Sequence, residues 1–239
     1  MERLLNNMSV RIAKFIADCG VASRRGAEKL IADGAVQING QIITDPVHFV
    51  DNNDTVMING NQIHMRESTE LYMFHKPLNV MTTAHDPDGR KTVYDVLPQE
   101  YRHLKYVGRL DYKTTGLLLM TNDGALARKL TLPASNIPRV YIATVNGTDR
   151  SGLDRARQGI TIDETKYAPM KIDIMKNGDL RVTVTEGKKN EVRIVLRACG
   201  CPVRKLHRIS FGNIELGKLP VGKIVKIAQK TIDEMIKSL

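Results

Sequence analysis

The residues best suited to chemistry lie in the segment YVGRLDYKTTGLLLMTNDG, residues 106–124. One apolar strand is expected to end before Gly108 and another to begin after Gly116, which places Asp111 on the loop between them. A loop fixed by a strand on each side can hold a carboxylate at the wall of a cleft, within reach of a substrate. A single loop aspartate is more often a turn former, so spacing alone does not establish a catalytic role.

A metal centre is the other chemistry that the side chains suggest. Cys199, Cys201 and His207 are close in sequence, but they lack the paired spacing of a zinc site. Inert buried thiols are the commoner arrangement, and three cysteines cannot all pair with one another. The sequence also shows no glycine-rich cofactor loop after a strand and no cluster of metal-binding carboxylates. We therefore predict no metal ion, no cofactor and no disulfide.

The charge distribution indicates a polyanionic partner. The net charge is +10, which favours nucleic acid, although a merely solvated cationic surface is the alternative. Residues 1–67 hold seven Lys or Arg and eight Asp or Glu, whereas residues 68–239 hold 29 and 18. Between residues 186 and 208, seven basic residues accompany two glutamates, so we expect the phosphate track there. Its candidate ligands are Lys188, Lys189, Arg204 and Lys205.

The length of 239 residues suits two modest domains or one large one. No run of about eighteen apolar residues occurs, so a membrane partner is not expected and the cytoplasm is the expected location. A polar stretch, RESTE at residues 66–70, predicts a linker at residues 67–70 before a second domain at residues 71–239. In that second domain, strand-like runs alternate with helical ones, which is typical of a mixed α and β fold.

The first part of the chain predicts two short helices followed by two hairpins. Residues 9–20 have apolar side chains at helical spacing, with Ser9 as the candidate cap. Ser23 can cap a second helix that ends at Gly34. The segments VQINGQII and VMINGNQI each contain Asn-Gly, the strongest short signal for a tight hairpin.

This pattern resembles the small RNA-binding domain named after ribosomal small-subunit protein four, over about residues 8–66. The match rests on RIAKFIADCGVASRRGAEKLIADGAVQING. In that family the helix pair presents basic residues to structured RNA. The resemblance therefore implies an RNA-binding role for Lys14, Arg24, Arg25 and Lys29.

The pattern G-R-L-D-x-x-T-T-G-L-L-x-x-T-N-D-G, which begins at Gly108, resembles the active-site motif of pseudouridine synthases. LYMFHKPLNVMTTAHDPDGRKTVYDVLP and LRVTVTEGKKNEVRIVLRACG resemble two further motifs of that family. With the N-terminal module, the resemblance covers nearly the whole chain and indicates the branch that modifies bacterial ribosomal RNA. It implies an α+β fold in which the RNA-binding domain precedes a mixed, mainly antiparallel sheet with flanking helices and a central cleft.

The resemblance also implies a substrate and a set of roles. The expected substrate is a uridine in a structured stem-loop of ribosomal RNA, most simply the 23S RNA of an assembly intermediate, and the enzyme is expected to be a monomer. Asp111 corresponds to the catalytic carboxylate and Arg193 to its basic partner. Tyr141 corresponds to the tyrosine that stacks on the flipped base, and Arg109 to a side chain that enters the RNA stack. Lys76, with the proline after it, is expected to shape the cleft.

Two alternatives remain open at this point. Asp111 could add to the base, or it could assist glycosidic cleavage through a glycal-like intermediate; both routes need an ionised carboxylate. A noncatalytic ribosome-assembly factor that has kept the fold is the main competing function, although the intact Asp111, Tyr141 and Arg193 argue against it. An RNA methyltransferase or nuclease is disfavoured by the missing cofactor loop and metal carboxylates.

Overall fold

The computed structural model describes residues 9–51, 53–65, 68–147 and 149–237. Its contacts divide the chain into two compact units, residues 1–69 and residues 70–239. The domain limits predicted at residues 8 and 66 lie outside the described residues, as does residue 67. The predicted linker therefore stays a prediction.

Two short helices and two hairpins form the first unit. Its elements are β1 (Val10–Arg11), α1 (Ile12–Asp18), α2 (Arg24–Ala32), β2 (Val36–Ile38), β3 (Gln41–Ile43), β4 (Phe49–Val50), β5 (Val56–Ile58) and β6 (Asn61–Gln62). Strands β3, β2, β5 and β6 form an antiparallel sheet in that order. The helices and strands share one apolar core, which includes Ile12, Ile16, Ala27, Ile31, Val36 and Ile58.

The two helix starts differ from each other. Ser9 does not cap α1, so that prediction is wrong: Val10 and Arg11 pair with β4, and the helix begins only at Ile12. Ser23 does cap α2, because its hydroxyl oxygen accepts a hydrogen bond from the backbone N–H of Gly26 at 3.0 Å. This bond satisfies one of the N–H groups that lack a partner inside a helix.

Both predicted hairpins are confirmed. Asn39 and Gly40 have φ angles of 51° and 83°, and Asn59 and Gly60 have φ angles of 49° and 79°. Two successive residues with positive φ are what the tightest hairpin turns require, and Asn-Gly adopts this conformation at little cost.

The second unit alternates strands and helices. Its elements are β7 (Leu71–Lys76), α3 (Val93–Val96), β8 (Lys105–Val107), β9 (Thr114–Thr121), α4 (Gly124–Thr131), β10 (Arg139–Val145), α5 (Leu153–Gln158), β11 (Ile160–Ile162), β12 (Thr165–Tyr167), β13 (Lys171–Ile174), β14 (Leu180–Val184), α6 (Glu191–Ala198), β15 (Val203–Phe211), β16 (Ile214–Glu215), β17 (Ile224–Lys226) and α7 (Gln229–Lys237). The predicted α+β class is confirmed.

One mixed sheet organises this unit. Its path is β13-β14-β10-β15-β9-β7-β17, with β16 beside β15 and β8 beside β9. All of these pairs are antiparallel except β15 with β9, where Leu206, His207 and Arg208 pair with Thr114, Thr115 and Gly116. The sheet is therefore mainly antiparallel, as predicted, and its one parallel pair lies in the middle.

Gly116 allows the parallel strands to approach closely. It has φ of 108°, and a Cβ atom added there would lie 2.2 Å from the carbonyl oxygen of Arg208. Any other residue would force β9 and β15 apart, because real Cβ contacts are never this short.

Each face of the sheet carries its own apolar core. On one face Phe74, Leu118 and Val182 belong to the larger cluster, and on the other Leu117 and Phe211 belong to the smaller one. None of the helices in the described part of the chain is long and apolar enough to cross a membrane.

Candidate active site

Asp111 lies on the loop between β8 and β9, as predicted, and its side chain is half-buried. Leu110 is buried beside it and exchanges two hydrogen bonds with the Thr82 hydroxyl, at 2.8 Å and 3.3 Å. On the other side, the Thr114 N–H donates to the Asp111 carbonyl oxygen at 2.9 Å. The backbone is therefore fixed on both sides of the carboxylate.

Lys76 is fully buried next to this loop. Its ammonium group donates to the carbonyl oxygens of Pro77 at 3.0 Å, Asp111 at 3.4 Å and Thr114 at 2.9 Å. Burial lowers the pKa of Lys76 to about 8, although the negative charge of Asp111 acts in the opposite direction. The lysine predicted to shape the cleft thus holds the loop by its backbone.

Arg193 holds the same loop from α6. Its guanidinium donates to the carbonyl oxygens of Lys113 at 2.7 Å and Val203 at 3.0 Å. Among the ion pairs of the described residues there is none between Arg193 and Asp111. Burial lowers the pKa of Arg193, and the charge of Asp111 raises it, so the two groups interact through charge. The Nε atom is buried without a hydrogen-bond partner in the described structure.

Two cavities meet at Asp111. The first cavity has a volume of about 230 Å³, and its lining includes Tyr141, Glu191 and Arg208. The second cavity has a volume of about 490 Å³, and its lining includes Arg90 and Arg193. The residues that line both are Arg109, Leu110, Asp111, Lys189 and Asn190.

The structure brings the other predicted site residues to these cavities. Tyr141 on β10 is only 9% exposed, so it belongs to the apolar core and to the wall of the first cavity at once. Arg109 is exposed beside Asp111. Tyr141 and Arg109 thus line one cavity with Asp111, and their roles toward RNA stay predictions.

Three residues that sequence reasoning did not single out also contribute. Arg208 lines the first cavity and is 2% exposed. Its Nε donates to the Leu117 carbonyl oxygen at 2.7 Å, and its buried Nη2 has no hydrogen-bond partner among the described residues. Beside the second cavity, Arg90 binds the buried Asp86 carboxylate through Nε at 2.9 Å and Nη2 at 2.7 Å. These hydrogen bonds lower the pKa of Asp86 to about 2.

The candidate phosphate ligands of the second unit differ in their surroundings. Lys188 donates to both carboxylate oxygens of Glu186 at 2.7 Å, so its charge already has a partner. Lys189 lines both cavities, and Arg204 and Lys205 are exposed on β15. Lys189 is therefore the predicted phosphate ligand that shares both cavities with Asp111.

In the first unit, the candidate RNA-binding residues lie on the two helices. Lys14 on α1 forms an ion pair with Asp18 at 2.6 Å. Arg24, Arg25 and Lys29 are exposed on α2. The three cations of α2 thus share one short helix.

Cys199 and Cys201 line neither of the two cavities that contain Asp111. Cys199 and Cys201 are buried as free thiols, and the Cys201 thiol donates to the Asp149 carbonyl oxygen at 3.4 Å. Within the residues that the structure describes, no group of three or more His, Cys, Asp or Glu could hold a metal ion.

Comparisons with known proteins identify one enzyme family. A family model described as RNA pseudouridylate synthase matches residues 70–198, and the S4 domain model matches residues 10–56. An uncharacterised RNA pseudouridine synthase of Aquifex aeolicus (strain VF5) is 38% identical, over 97% of this chain and 96% of its own length. The ribosomal large subunit pseudouridine synthase B of Bacillus subtilis (strain 168) is 36% identical, over 89% of both chains. A crystal structure of a pseudouridylate synthase has a TM-score of 0.68 at 27% identity, covering 95% of this chain and all of the other.

Proposed function

Because this chain belongs to the RNA pseudouridylate synthase family, we propose that it isomerises one uridine of ribosomal RNA with Asp111 as the catalytic carboxylate. One observation carries the proposal. The partly exposed Asp111 side chain lines a cavity together with Tyr141, on a loop whose backbone is held by Lys76 and Arg193. A catalytic carboxylate needs both properties, access to the substrate and a fixed position.

The reaction exchanges one glycosidic bond for another. The bond between uracil N1 and ribose C1′ breaks, a bond between C5 and C1′ forms, C5 loses its proton and N1 gains one. An ionised Asp111 can serve either route, by adding to the base or by assisting cleavage to a glycal-like intermediate. Arg193 interacts with Asp111 through charge, because the negative charge of Asp111 raises the pKa of Arg193.

The base must leave the RNA stack before it can reach Asp111. Tyr141 supplies a flat ring in the wall of the first cavity, on which an extruded uracil can stack. Arg109, exposed beside the carboxylate, is placed to enter the gap that the base leaves. Lys189, Arg204 and Lys205 supply charge for the RNA backbone.

The substrate is proposed from the relatives and from the first unit. The B. subtilis relative is named for the large ribosomal subunit, which favours 23S RNA as the substrate here. The S4 domain match supports binding of structured RNA through Lys14, Arg24, Arg25 and Lys29. We propose that the enzyme acts as a cytoplasmic monomer on a stem-loop of an assembly intermediate, with a linker between its domains at residues 67–70.

A map of pseudouridine at nucleotide resolution tests the proposal. Ribosomal RNA is compared between cells that contain the gene, cells that lack it, and deletion cells that express either the wild type or Asp111→Asn. One pseudouridine should disappear on deletion and return with the wild type only. An unchanged map would favour the noncatalytic assembly factor instead, and restoration by Asp111→Asn would refute the role of the carboxylate.

A further inference from the structure

Arg208 lies beside Tyr141 in the first cavity. The two residues are direct partners across the antiparallel strands β15 and β10, and both line the cavity that contains Asp111. Residues opposite each other in an antiparallel pair have Cβ atoms about 4.5–5.5 Å apart. A uracil ring that stacks on Tyr141 therefore comes within reach of the long Arg208 side chain.

The Arg208 guanidinium is buried with part of its hydrogen-bonding capacity unused. The residue is 2% exposed, and its Nε donates to the carbonyl oxygen of Leu117 at 2.7 Å. Its Nη2 is buried and has no hydrogen-bond partner within the described part of the chain. Buried donors in folded proteins nearly always have an acceptor, because an unmade hydrogen bond is unfavourable. An acceptor atom of a bound molecule would complete this site.

The positive charge of Arg208 has no carboxylate partner. Among the described residues, no ion pair includes Arg208 or Arg139, the other buried arginine that lines the cavity. The guanidinium carbon of Arg208 lies 5.4 Å from the centroid of the Phe211 ring, and that of Arg139 lies 5.0 Å from it. Two buried cations therefore share one aromatic ring, and their charge favours an anion in the cavity.

The acidic residues of the cavity do not cancel this charge. Its lining holds five Arg or Lys residues and three acidic residues, which are Asp111, Glu186 and Glu191. Lys188 donates to both carboxylate oxygens of Glu186 at 2.7 Å, so that acid already has a cation of its own. The lining is therefore net positive, although the substrate base enters it as a neutral ring.

The reaction places negative charge on that base. In the glycal route the carboxylate takes the C2′ proton while the N1–C1′ bond breaks, and the electron pair of that bond passes to the uracil ring. The proton returns to C2′ when C5 bonds to C1′, after which C5 loses its proton and N1 gains one. In the addition route the carboxylate adds to C6, and the electron pair of the C5–C6 double bond moves onto C5 and O4. Both routes therefore place part of the charge on a carbonyl oxygen of uracil.

We propose that Arg208 is a catalytic residue, whose guanidinium donates to a carbonyl oxygen of the uracil stacked on Tyr141 and stabilises the negative charge that the base acquires. This inference rests on the proposed function. A donor that is already in place needs no reorganisation when the charge develops. Because a charged oxygen accepts the hydrogen bond more strongly than a neutral carbonyl does, the contact stabilises the transition state more than the substrate.

A change of leaving group tests this inference. Fluorine at C5 withdraws electrons and stabilises charge on the base, so an RNA fragment with 5-fluorouridine at the modified position should depend less on Arg208. Arg208→Gln should lose about 100-fold in single-turnover rate on uridine, and several-fold less than that on 5-fluorouridine. Arg208→Lys keeps the charge without the fork, so its losses should be smaller. Each rate is the loss of the original nucleoside, measured by chromatography of the digested RNA.

The comparison is made within each protein sample. Because both rates come from the same sample, their ratio does not depend on how much of a variant is folded. Arg157→Gln is the matched control, since Arg157 also donates through Nε and Nη2 to one carbonyl oxygen, that of Ile172, but lines neither cavity. This variant should keep the wild-type ratio.

Fluorine-19 NMR supplies a measurement that needs no turnover. The RNA with 5-fluorouridine is bound to Asp111→Asn, and the fluorine shift follows ionisation of the N3–H group, which places charge on the same carbonyl oxygens. The pKa of this N3–H should be about one pH unit lower in the complex than in the free RNA, because a cation lies beside the base. Adding Arg208→Gln to the same protein should remove most of this difference. If that variant yields no folded protein, the complex and the free RNA still give the comparison.

Three results would overturn the inference. The first is an equal loss on uridine and 5-fluorouridine in Arg208→Gln, which a purely structural role predicts. The second is an unchanged rate in that variant, which is expected if Nη2 only binds a water molecule. The third is an N3–H pKa that is not lowered in the complex. A purified wild type that leaves the uridine unchanged would refute the proposed function instead, and the NMR titration would still decide whether Arg208 contacts the base.

Discussion

The Lys76 ammonium group lies 3.4 Å from the backbone carbonyl oxygen of Asp111, 35 residues further along the chain. The lysine therefore fixes the main chain of the proposed catalytic residue while leaving its carboxylate free. The same ammonium binds the Thr114 carbonyl oxygen at 2.9 Å, so one buried charge holds the loop and the start of β9 together.

Asp111→Asn should abolish pseudouridine formation and leave RNA affinity nearly unchanged. The amide has almost the same size but cannot supply an ionised oxygen. Turnover and RNA binding are measured on the same RNA fragment. Asp173→Asn, on the exposed side of β13, is the matched control and should behave as the wild type. Measurable turnover by Asp111→Asn would show that Asp111 is not the catalytic carboxylate.

Lys76→Met should abolish a specific pH dependence of stability. The pKa of Lys76 is about 8 in the folded protein and 10.5 in its ordinary state. Between these values the unfolded chain binds more protons, so this group raises the free energy of unfolding as pH increases, by at most about 3 kcal/mol. Urea unfolding of both proteins at about pH 7 and pH 9.5 measures the difference. Identical pH dependence in the two proteins would contradict the lowered pKa.

The same substitution should reduce turnover, because it leaves the carbonyl oxygens of Pro77, Asp111 and Thr114 without their common donor. Lys76→Arg tests whether charge alone is sufficient. The larger guanidinium does not fit a fully buried site without displacing its neighbours, so we expect it to rescue turnover poorly. Full rescue would show that the position of the donor is unimportant.

Arg193→Ala should lower turnover severely, and Arg193→Lys should restore only part of it. The guanidinium bonds two carbonyl oxygens at once, those of Lys113 and Val203, and a lysine ammonium lacks that fork. Single-turnover rates separate this effect from RNA binding. Equal rates for the two variants would show that neither the fork nor the charge matters.

Two substitutions of Tyr141 should separate the stacking role of its ring from the chemical role of its hydroxyl. Tyr141→Phe keeps the ring, so capture of the flipped base should persist, and any loss reports the hydroxyl in the final proton removal. Tyr141→Leu should lose about 1–3 kcal/mol of stacking and fail before chemistry. Release of tritium from C5 of uracil in single turnovers measures both. Wild-type rates in both variants would make Tyr141 a residue of the core only.

Local structure was predictable where a single residue type determines it. The Asn-Gly turns and the Ser23 cap depend on neighbours in sequence, and both are present. Strand β15 was not predicted, because its segment VRKLHRISF does not have the apolar pattern of a central strand. Its buried Arg208 is stabilised by a carbonyl oxygen and by the Phe211 ring, whose centroid lies 5.4 Å away. Such compensation is visible only in three dimensions.

The candidate site was likewise predictable only in the part that depends on neighbouring residues in sequence. Asp111 could be identified from its motif, whereas the bonds that fix it join β7 and α6 to the loop across long stretches of chain. The burial of Glu191 beside Glu186 in the cavity lining was also hidden, since both residues resemble an ordinary polar helix start in sequence. Burial raises the pKa of Glu191. Burial acts in the same direction on Glu186, but the hydrogen bonds from Lys188 and Ala168 lower its pKa. These contacts follow from the folded structure and are not visible in the sequence.

The close approach at Gly116 has an evolutionary consequence. Because a side chain there would collide with the β15 backbone, any substitution at position 116 would require the two main chains to move apart. A smaller side chain elsewhere would not relieve this contact, since the atoms in contact belong to the main chain. The substitution would also disturb Asp111 and Arg208 together, since each lies within a few residues of the same parallel pair. Deep mutational scanning should therefore find position 116 less tolerant than the cavity-lining positions whose side chains do no chemistry.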